Sequence, residues 1–381
     1  MDRNQEFTIH IDVTRIAEND IGTGVQRVVR QISRHWLQSP ERTAHLNFIR
    51  VTQKGQVVDA HNWTAQLMGE VGGGQLEEPR TTFAAGDQLF LLDLVLPPRG
   101  LNGRTLRHLQ KNGVKVVCMI YDILPLSHPQ FFPISSRVLF GRWFRKALTA
   151  DQIVTISEST KQAILGRSSN RNKAKYPLPP ISVIPMSGEP EVRIPAGASD
   201  SGESLKKPAG NLFICIGTVE PRKGYDEVVD TFERLWAQDS PDNLWIFGCP
   251  GWKTQLLQRR MRSLESKNTR FRWFPNAEDH LVQNALQLAD ALIASSFAEG
   301  SGLPLLEARA LNKPVIARDL PAFREISDMG VYFFLNGAKG CSLASLLESW
   351  DNREEQAAGP KIEPRNPWEV SVHRLETILT R

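Results

Sequence analysis

The sequence has few of the features that mark disulfide-bonded, secreted or membrane-spanning proteins. Only four of its 381 residues are cysteine, and none belongs to a C-x-x-C pair, so reduced thiols are expected rather than a disulfide framework. No apolar run approaches the ~20 residues of a membrane-spanning helix, and the first residues lack the pattern of a signal peptide. These absences predict a cytoplasmic protein.

Metal-binding patterns are also missing. The sequence contains no Asp-x-Asp, and its eight histidines form neither H-x-H nor H-E-x-x-H, so we predict no metal site. The formal net charge is only +4, with an isoelectric point near 8.9. This mild excess fits anionic small molecules or a membrane surface but requires neither. We predict no nucleic-acid partner.

The sequence does have an alternation of apolar, strand-like runs with amphipathic helical patterns along most of its length. The 381 residues and the apolar content of 41% fit two α/β domains with ordinary cores. The alternation predicts parallel sheets built from βαβ units, and a stretch rich in proline, glycine and serine predicts a boundary. The predicted divisions are a first domain over 1–190, a linker over 191–210, a second domain over 211–365 and a final helix over 366–381.

The most informative segment is Ser295–Ala308, a glycine-rich turn between a strand and a helix. The apolar run Ala291–Ala294 before it indicates a buried strand, and Pro304 suits the first turn of a helix. Gly302 and Leu303 would then present backbone N–H groups at a helix N-terminus. Such a terminus favours the binding of a phosphate.

The same segment carries two carboxylates, Glu299 in the turn and Glu307 about one turn into the helix, with seven residues between them. This spacing fits a site that binds two parts of one ligand. An ordinary strand–turn–helix corner with two solvated glutamates fits the spacing equally well, because such corners are common.

A second turn of the same kind follows the strand-like run Leu212–Ile216. It contains Arg222 and Lys223 side by side, and a helical pattern begins after Gly224. A guanidinium can bind two phosphate oxygens and an ammonium acts as a point charge, so the pair suits a pyrophosphate. A solvated basic turn is the alternative.

Two segments of the first domain also invite interpretation. Gly22 and Gly24 supply the first two glycines of a dinucleotide fingerprint, although Arg27 stands where the third would be; this turn would let backbone approach a phosphate. Phe131–Ala150 mixes aromatic and basic residues and predicts either a membrane-surface helix or a helix docked on a sheet with its arginines extended. The stripe formed by Arg27, Arg30 and Arg34 raises the same question.

Together these segments resemble one known family. The chain is similar to the family 4 retaining glycosyltransferases of the GT-B fold, and in particular to bacterial polysaccharide mannosyl- and rhamnosyltransferases. The matches are the glycine turn Ile21–Arg27, the H-D-x-x-P segment Tyr121–Pro129, the strand and helix start Val154–Lys161, the E-P-R-K-G loop Glu220–Gly224 and the E-x7-E motif Glu299–Glu307. Tyr121 stands where the family has histidine, so the chain departs from the family's pattern at this position and the role of that histidine is not carried over.

The resemblance implies an α/β protein with two Rossmann-like domains that face each other across a cleft. It also implies transfer of a hexosyl group from a nucleoside diphosphate sugar, with retention of the anomeric configuration. The implied roles are diphosphate binding by Arg222 and Lys223, donor-phosphate approach by Gly22, Gly24, Gly302 and Leu303, sugar orientation by Glu299, ribose binding by Glu307, and sugar or acceptor positioning by Asp122. No metal or other cofactor is expected, because the cationic loop that carries Arg222 and Lys223 would neutralise the charge of the leaving group.

Resemblance also suggests GDP-mannose as the donor and a saccharide or lipid-linked saccharide as the acceptor, made at the inner face of the cytoplasmic membrane. An anionic membrane would then be a peripheral partner. Two other interpretations remain open. One is a different GT-B enzyme, a phosphorylase or a nucleotide-sugar epimerase. The other is a non-catalytic nucleotide-sugar-binding subunit.

Overall fold

The structure is a computed structural model that describes residues 7–40, 42–70, 76–169, 178–189, 205–327, 330–335, 342–350 and 367–380. Most of the predicted linker, residues 191–204, therefore lies outside the described residues. The chain divides into two compact units. One unit comprises Met1–Pro129, Ile134–Met186 and Asn366–Arg381, and the other comprises Gln130–Pro133 and Ser187–Arg365.

The first unit is built on a seven-stranded sheet in the order β3-β2-β1-β4-β5-β6-β7, parallel except for the pairing of β2 with β3. Its strands are β1 (Thr8–Asp12), β2 (His45–Val51), β3 (Val57–Asp59), β4 (Gln88–Leu91), β5 (Lys115–Ile120), β6 (Gln152–Thr155) and β7 (Ile181–Val183). Its helices are α1 (Thr14–Glu18), α2 (Gly24–Gln38), α3 (His61–Met68), α4 (Gly103–Lys111), α5 (Leu124–Ser127), α6 (Ile134–Ala147) and α7 (Glu158–Ser169).

The sequence explains why these elements form. Every residue of β5 after Lys115 is buried, as expected of a parallel strand covered on both faces. Helix α2 begins at a capping box: the Thr23 hydroxyl accepts from the Gln26 N–H at 3.3 Å, and the Gln26 Oε1 accepts from the Thr23 N–H at 3.2 Å. This exchange satisfies donors that a helix N-terminus otherwise leaves unpaired.

The second unit is built on a six-stranded sheet, all parallel, in the order β10-β9-β8-β11-β12-β13. Its strands are β8 (Leu212–Ile216), β9 (Asn243–Phe247), β10 (Phe271–Phe274), β11 (Ala291–Ala294), β12 (Val315–Arg318) and β13 (Val331–Phe334). Its helices are α8 (Tyr225–Ala237), α9 (Gln255–Glu265), α10 (Asp279–Leu288), α11 (Leu303–Ala310), α12 (Pro321–Glu325) and α13 (Leu343–Glu348). This strand order is that of the doubly wound dinucleotide-binding fold.

A last helix, α14 (Trp368–Leu379), belongs to the first unit and packs on α2. The buried carboxylate of Glu376 accepts from the Thr43 N–H at 2.7 Å and from the Thr43 hydroxyl at 2.8 Å. The Ser371 hydroxyl donates to the Pro185 carbonyl at 2.7 Å. Polar as well as apolar contacts thus fix the final helix in this unit.

The structure corrects the interpretation of the arginine stripe on α2 as an exposed face. Arg30 is only 6% exposed, and its Nη1 lies 2.5 Å from the Asp20 carboxylate. Arg34 is half-buried and reaches the Leu67 carbonyl at 3.5 Å. Val28, Val29 and Ile32 on the same helix are buried as well, so Arg30 lies on a side of α2 that packs against protein. Arg30 is therefore unable to serve as a lipid contact.

Among the described residues, none of the helices has both the length and the apolar character that crossing a bilayer requires.

Candidate donor site at the edge of the second sheet

The predicted site residues of the second unit meet at the carboxyl edge of its sheet. Strands β8 and β11 are neighbours in that sheet, although the chain runs from β8 outward through β9 and β10 before it returns. The strand order therefore reverses between them. In open α/β sheets the crevice at such a reversal is the usual place for a ligand. The loops 217–224 and 295–302 leave the sheet side by side at this point.

The first loop is shaped by two glycines. Gly217 has φ of 135°, and a Cβ there would lie 3.0 Å from the Lys223 Cε and Nζ. Gly224 has φ of 67°, and a Cβ there would lie 2.6 Å from the Ser295 carbonyl oxygen. Between them Pro221–Lys223 forms one 3-10 turn. The glycines thus let Lys223 lie over the strand end and let the two loops touch.

The two loops are also joined by hydrogen bonds. The Phe297 N–H donates to the Arg222 carbonyl at 2.7 Å, and the Ser295 hydroxyl donates to the Lys223 carbonyl at 2.7 Å. The loop after β9 supports them from the other side, since the Val219 N–H donates to the Cys249 carbonyl at 2.9 Å. The backbone that carries Arg222 and Lys223 is therefore held in place by both neighbouring loops.

A charge cluster lies at the centre of this crevice. Glu299 Oε1 accepts from Lys223 Nζ and from the Ser296 hydroxyl, both at 2.7 Å, and Glu299 Oε2 lies 2.7 Å from Arg222 Nη1. The sequence predicted Arg222, Lys223 and Glu299 as site residues, and the structure brings all three together. Ser296 was missed, because nothing distinguishes one serine of a turn from another in the sequence.

Arg222 has a second acidic partner in Glu220. The Glu220 Oε1 lies 2.8 Å from Arg222 Nε and 2.6 Å from Arg222 Nη2, and the Ala298 carbonyl accepts from Arg222 Nη1 at 2.9 Å. Two cations thus face two carboxylates, so their formal charges cancel. The sequence showed Glu220 two residues before Arg222 but gave no reason to pair them.

The pKa values of Glu299 and Glu220 shift in opposite directions, although Arg222 and Lys223 lie near both. Burial would raise the pKa of Glu299, but Arg222 and Lys223 outweigh it and lower the pKa to about 2. Burial raises the pKa of Glu220, and Arg222 and Lys223 oppose that rise without reversing it. Glu299 is consequently ionised at neutral pH.

Helix α11 begins directly after this cluster. Its N-cap is Gly302, with φ of 79°, where a Cβ would lie 2.6 Å from a ring carbon of Phe323. Leu303 is the first helical residue and Pro304 lies in the first turn, as predicted. Glu307 lies farther along the helix and is only 4% exposed. Gly302, Pro304 and Leu305 share the lining of the crevice with Lys223 and Glu299.

The remaining predicted site residues belong to the first unit. Gly22 has φ of 71° and lies just before α2, and Gly24 is the first residue of that helix. Asp122 follows β5, and its Oδ1 accepts from the Leu124 N–H at 2.9 Å at the start of α5. Both segments follow parallel strands of one sheet, so they lie toward the same edge of it.

Tyr121 proves to be a core residue. It is 3% exposed, its hydroxyl donates to the Leu92 carbonyl at 2.8 Å, and burial raises its pKa well above the usual value. Its own carbonyl accepts from the Thr160 hydroxyl at 3.2 Å. The side chain at this position therefore supports β5 and carries no accessible polar group.

Within the part of the chain that the structure describes, no three histidine, cysteine or acidic side chains are grouped as they would be around a metal ion.

The chain is similar in sequence to several known proteins. Residues 199–358 match the family described as glycosyl transferases group 1. The chain is 29% identical over 374 residues to the serotype-specific mannosyltransferase WbdA of Escherichia coli. The match covers 96% of this chain and 44% of that protein. It is 26% identical over 215 residues to the O-antigen chain mannosyltransferase RfbU of Salmonella typhimurium, covering 56% of this chain and 55% of the relative. The chain thus spans about half the length of the curated relatives it matches.

Among solved structures, the chain is similar to WaaG, a glycosyltransferase involved in lipopolysaccharide biosynthesis. The TM-score is 0.58 at 14% identity, with 98% of this chain and 99% of that chain covered. At this identity the likeness concerns the fold, and the predicted GT-B fold is confirmed.

Proposed function

We propose that the chain transfers a hexosyl group from a nucleoside diphosphate sugar to an acceptor hydroxyl, with retention at the anomeric carbon. The match of residues 199–358 to the family of group 1 glycosyl transferases supports this proposal. One observation carries the proposal: Arg222, Lys223 and Glu299 converge at the strand-order reversal of a parallel sheet. That is the place and the chemistry expected for a diphosphate beside a sugar.

The charge cluster suggests how the site works. Glu299 pairs with both Arg222 and Lys223, and Glu220 pairs with Arg222, so two formal positive charges face two formal negative ones. A donor diphosphate would take over Arg222 and Lys223 and leave the ionised Glu299 to accept hydrogen bonds from sugar hydroxyls. Since negative charge grows on the diphosphate as its bond to the anomeric carbon breaks, the two cations stabilise the transition state more than the ground state.

The transfer breaks the bond from the anomeric carbon to the phosphate oxygen and forms a bond from that carbon to the acceptor oxygen. The acceptor proton passes to the departing phosphate. Glu307 would hold the donor ribose, and Gly302 and Leu303 would offer backbone N–H groups to a phosphate oxygen. Of the residues in the first unit, Asp122 would position the sugar or the acceptor, and Gly22 and Gly24 would let the backbone approach a donor phosphate. Because Arg222 and Lys223 supply the positive charge, chelation with EDTA should leave transfer intact.

The donor we propose is GDP-mannose, and the acceptor is a saccharide or lipid-linked saccharide of a surface polysaccharide. The mannosyltransferase names of two relatives support this choice. The test incubates the protein with GDP-mannose or UDP-glucose, an oligosaccharide acceptor and EDTA, and determines the product's anomeric configuration by NMR. A new α-mannosidic bond supports the proposal. Sugar 1-phosphate formed from inorganic phosphate, a donor epimer formed without acceptor, or binding without turnover would each favour one of the alternatives.

We also propose peripheral attachment at the cytoplasmic face of an anionic membrane, through one face of α6. On this face Ile134 is 74% exposed and Val138 is 48% exposed. Arg137, Arg142 and Arg145 are exposed beside them. Phe140, Trp143 and Phe144 are buried instead, and Lys146 donates to the Leu101 carbonyl at 2.9 Å, so the face is smaller than the sequence suggested.

Sedimentation with liposomes tests this attachment. Each basic residue near an anionic surface contributes about 1 kcal/mol, so replacing Arg137, Arg142 and Arg145 by glutamine should abolish salt-sensitive binding to phosphatidylserine vesicles. Equal binding to neutral and anionic vesicles at low salt would contradict the proposal and favour a soluble glycan as acceptor.

A further inference from the structure

Arg318, at the end of β12, is buried beside the two loops of the charge cluster. It is 2% exposed, and its Nε donates to the Ser295 carbonyl at 2.9 Å. Its Nη2 lies 2.5 Å from the carboxylate of Glu227, in the first turn of α8. One guanidinium therefore bridges the start of the loop 295–302 and the helix that follows the loop 217–224.

Two aromatic rings enclose the same guanidinium. Its carbon lies 4.1 Å from the ring centre of Phe297 and 4.9 Å from that of Phe334. A cation over an aromatic face is favourable, and more so when water is excluded. Phe297 lies two residues before Glu299, and its N–H donates to the Arg222 carbonyl at 2.7 Å. Phe297 thus joins the two loops through its backbone N–H and packs against Arg318 through its ring.

Gly224 shows how closely these groups are fitted. A Cβ at that position would lie 2.6 Å from the Ser295 oxygen, 3.2 Å from Phe297 Cε2 and 3.4 Å from Arg318 Nη2. The spacing leaves no room for either loop to slide toward the other. A lysine at position 318 would carry the charge but lack the planar fork that reaches Ser295 and Glu227 at once.

We propose that Arg318 is a positioning residue for the donor site: it sets the register of the loops 217–224 and 295–302, so that Arg222, Lys223 and Glu299 meet. The inference rests on the proposed function, since it assigns these loops to the donor. Arg318 acts through Ser295 and Phe297 and has no part in the chemistry itself.

The first test compares Arg318→Lys with Arg324→Lys. Arg324 is a matched control, because it also pairs with a carboxylate, Asp319, and lies 3.9 Å from the ring centre of Phe333. We expect R318K to lower kcat by about 10²-fold, the loss that a misplacement of about 1 Å can cause. R324K should stay within about twofold of the wild type, the scale of an exposed ion pair.

A double-mutant cycle with Glu299→Gln separates positioning from a general loss of stability. Because Arg318 acts by placing Glu299 and its partners, R318K should cost far less in the E299Q background than in the wild type. Phe297→Leu, which leaves every charge in place, should show the same non-additivity and serves if R318K does not fold. Equal losses in both backgrounds, or wild-type kcat in R318K and F297L, would overturn the inference.

Hydrogen–deuterium exchange without any ligand keeps this test apart from the proposed function. Peptides spanning 217–224 and 295–302 should exchange faster in R318K than in the wild type or R324K, while β8 and β11 stay protected. Unchanged exchange in both loops would refute the positioning role even if the wild type transfers mannose. Faster loop exchange in a protein that transfers no sugar would refute the proposed function alone.

Discussion

In both sheets acidic side chains follow the strands at which the strand order reverses, but the pKa values of Asp93 and Glu299 shift in opposite directions. In the first unit Asp12 ends β1 and Asp93 follows β4, the two strands between which that sheet's order reverses. Burial raises the pKa of both, and that of Asp93 reaches about 7. In the second unit Glu299, which is half-buried, has a pKa of about 2, because Arg222 and Lys223 outweigh the effect of burial.

The neighbours explain the difference. Asp12 Oδ1 accepts from the Thr14 N–H at 2.9 Å and from the Thr14 hydroxyl, and Asp93 Oδ2 accepts from the Ile16 N–H at 2.7 Å. Their donors are neutral groups at the start of α1, whereas the donors to Glu299 include a guanidinium and an ammonium. The same topology therefore supplies a structural carboxyl group in one unit and an ionised one, suited to a ligand, in the other.

The largest expected effect comes from removing the cations of the second unit. Arg222→Ala with Lys223→Ala should lower kcat/KM for the donor by about 10³-fold or more, because each lost donor to a developing charge costs about 10²-fold. Steady-state kinetics with the preferred nucleotide sugar measures the loss. Arg260→Ala is the matched control, since Arg260 lies in the same unit and pairs with Asp230 and Glu233. Near-normal turnover in the double variant would remove the pair from the site.

The two glutamates should differ in the kinetic constant they affect. Glu299→Gln should lower kcat by about 10²-fold with little change in KM, because it orients the sugar in the transition state. Glu307→Gln should raise the donor KM about tenfold with little change in kcat, the equivalent of ~1.4 kcal/mol of uniform binding. If both variants changed KM alone, the division of roles would be wrong.

The contrast between the acids should also appear in the pH dependence of stability. Asp93 binds its proton more tightly in the folded state, so its contribution to the free energy of unfolding falls as pH rises from about 4 to about 7. Asp93→Asn should remove this fall. Urea unfolding of both proteins across that range measures it, and parallel curves would show that Asp93 titrates normally.

For Glu299 the sign is reversed. Its folded pKa is lowered to about 2, so its contribution is present above the usual pKa of 4.5 and is lost as pH falls toward 2. The same urea experiment with Glu299→Gln should therefore show less acid sensitivity below about pH 4.5 than the wild type. A steeper acid loss in E299Q would contradict the ionised state assigned to Glu299.

The smallest effect is expected at Tyr121. Tyr121→Phe removes the hydroxyl that donates to the Leu92 carbonyl, so the free energy of unfolding should drop by about 1 kcal/mol. Transfer activity should stay near that of the wild type, because the hydroxyl is buried. A large loss of kcat would restore a role in the site to this position.

The sequence predicted much of the second unit because its signals are local. The strand runs Leu212–Ile216 and Ala291–Ala294 coincide with β8 and β11, and Pro304 lies in the first turn of α11 as expected. The two α/β units follow from alternation alone. Two of the five segments that resemble a glycosyltransferase, Glu220–Gly224 and Glu299–Glu307, lie within the residues 199–358 that match the group 1 glycosyl transferase family.

The contacts within the site were not predictable in the same way. The pairing of Lys223 with Glu299 joins residues 76 positions apart and depends on β8 and β11 being neighbours, which no local pattern encodes. Arg318 ends an apolar strand, so its burial could have been noticed, but its partners lie in two other segments. Arg30 was misread because the spacing of arginines does not reveal that Arg30 is buried and paired with Asp20.

The proposed transfer depends on binding of the donor's diphosphate by the loop 217–224, which carries Arg222 and Lys223. Isothermal titration calorimetry measures this binding. GDP and UDP are titrated, in the presence of EDTA, into the wild type and into the R222A/K223A variant. We expect at least one nucleotide to bind the wild type, to be displaced by pyrophosphate, and to bind the variant about 10²-fold or more weakly. Undiminished binding to a folded variant would contradict it.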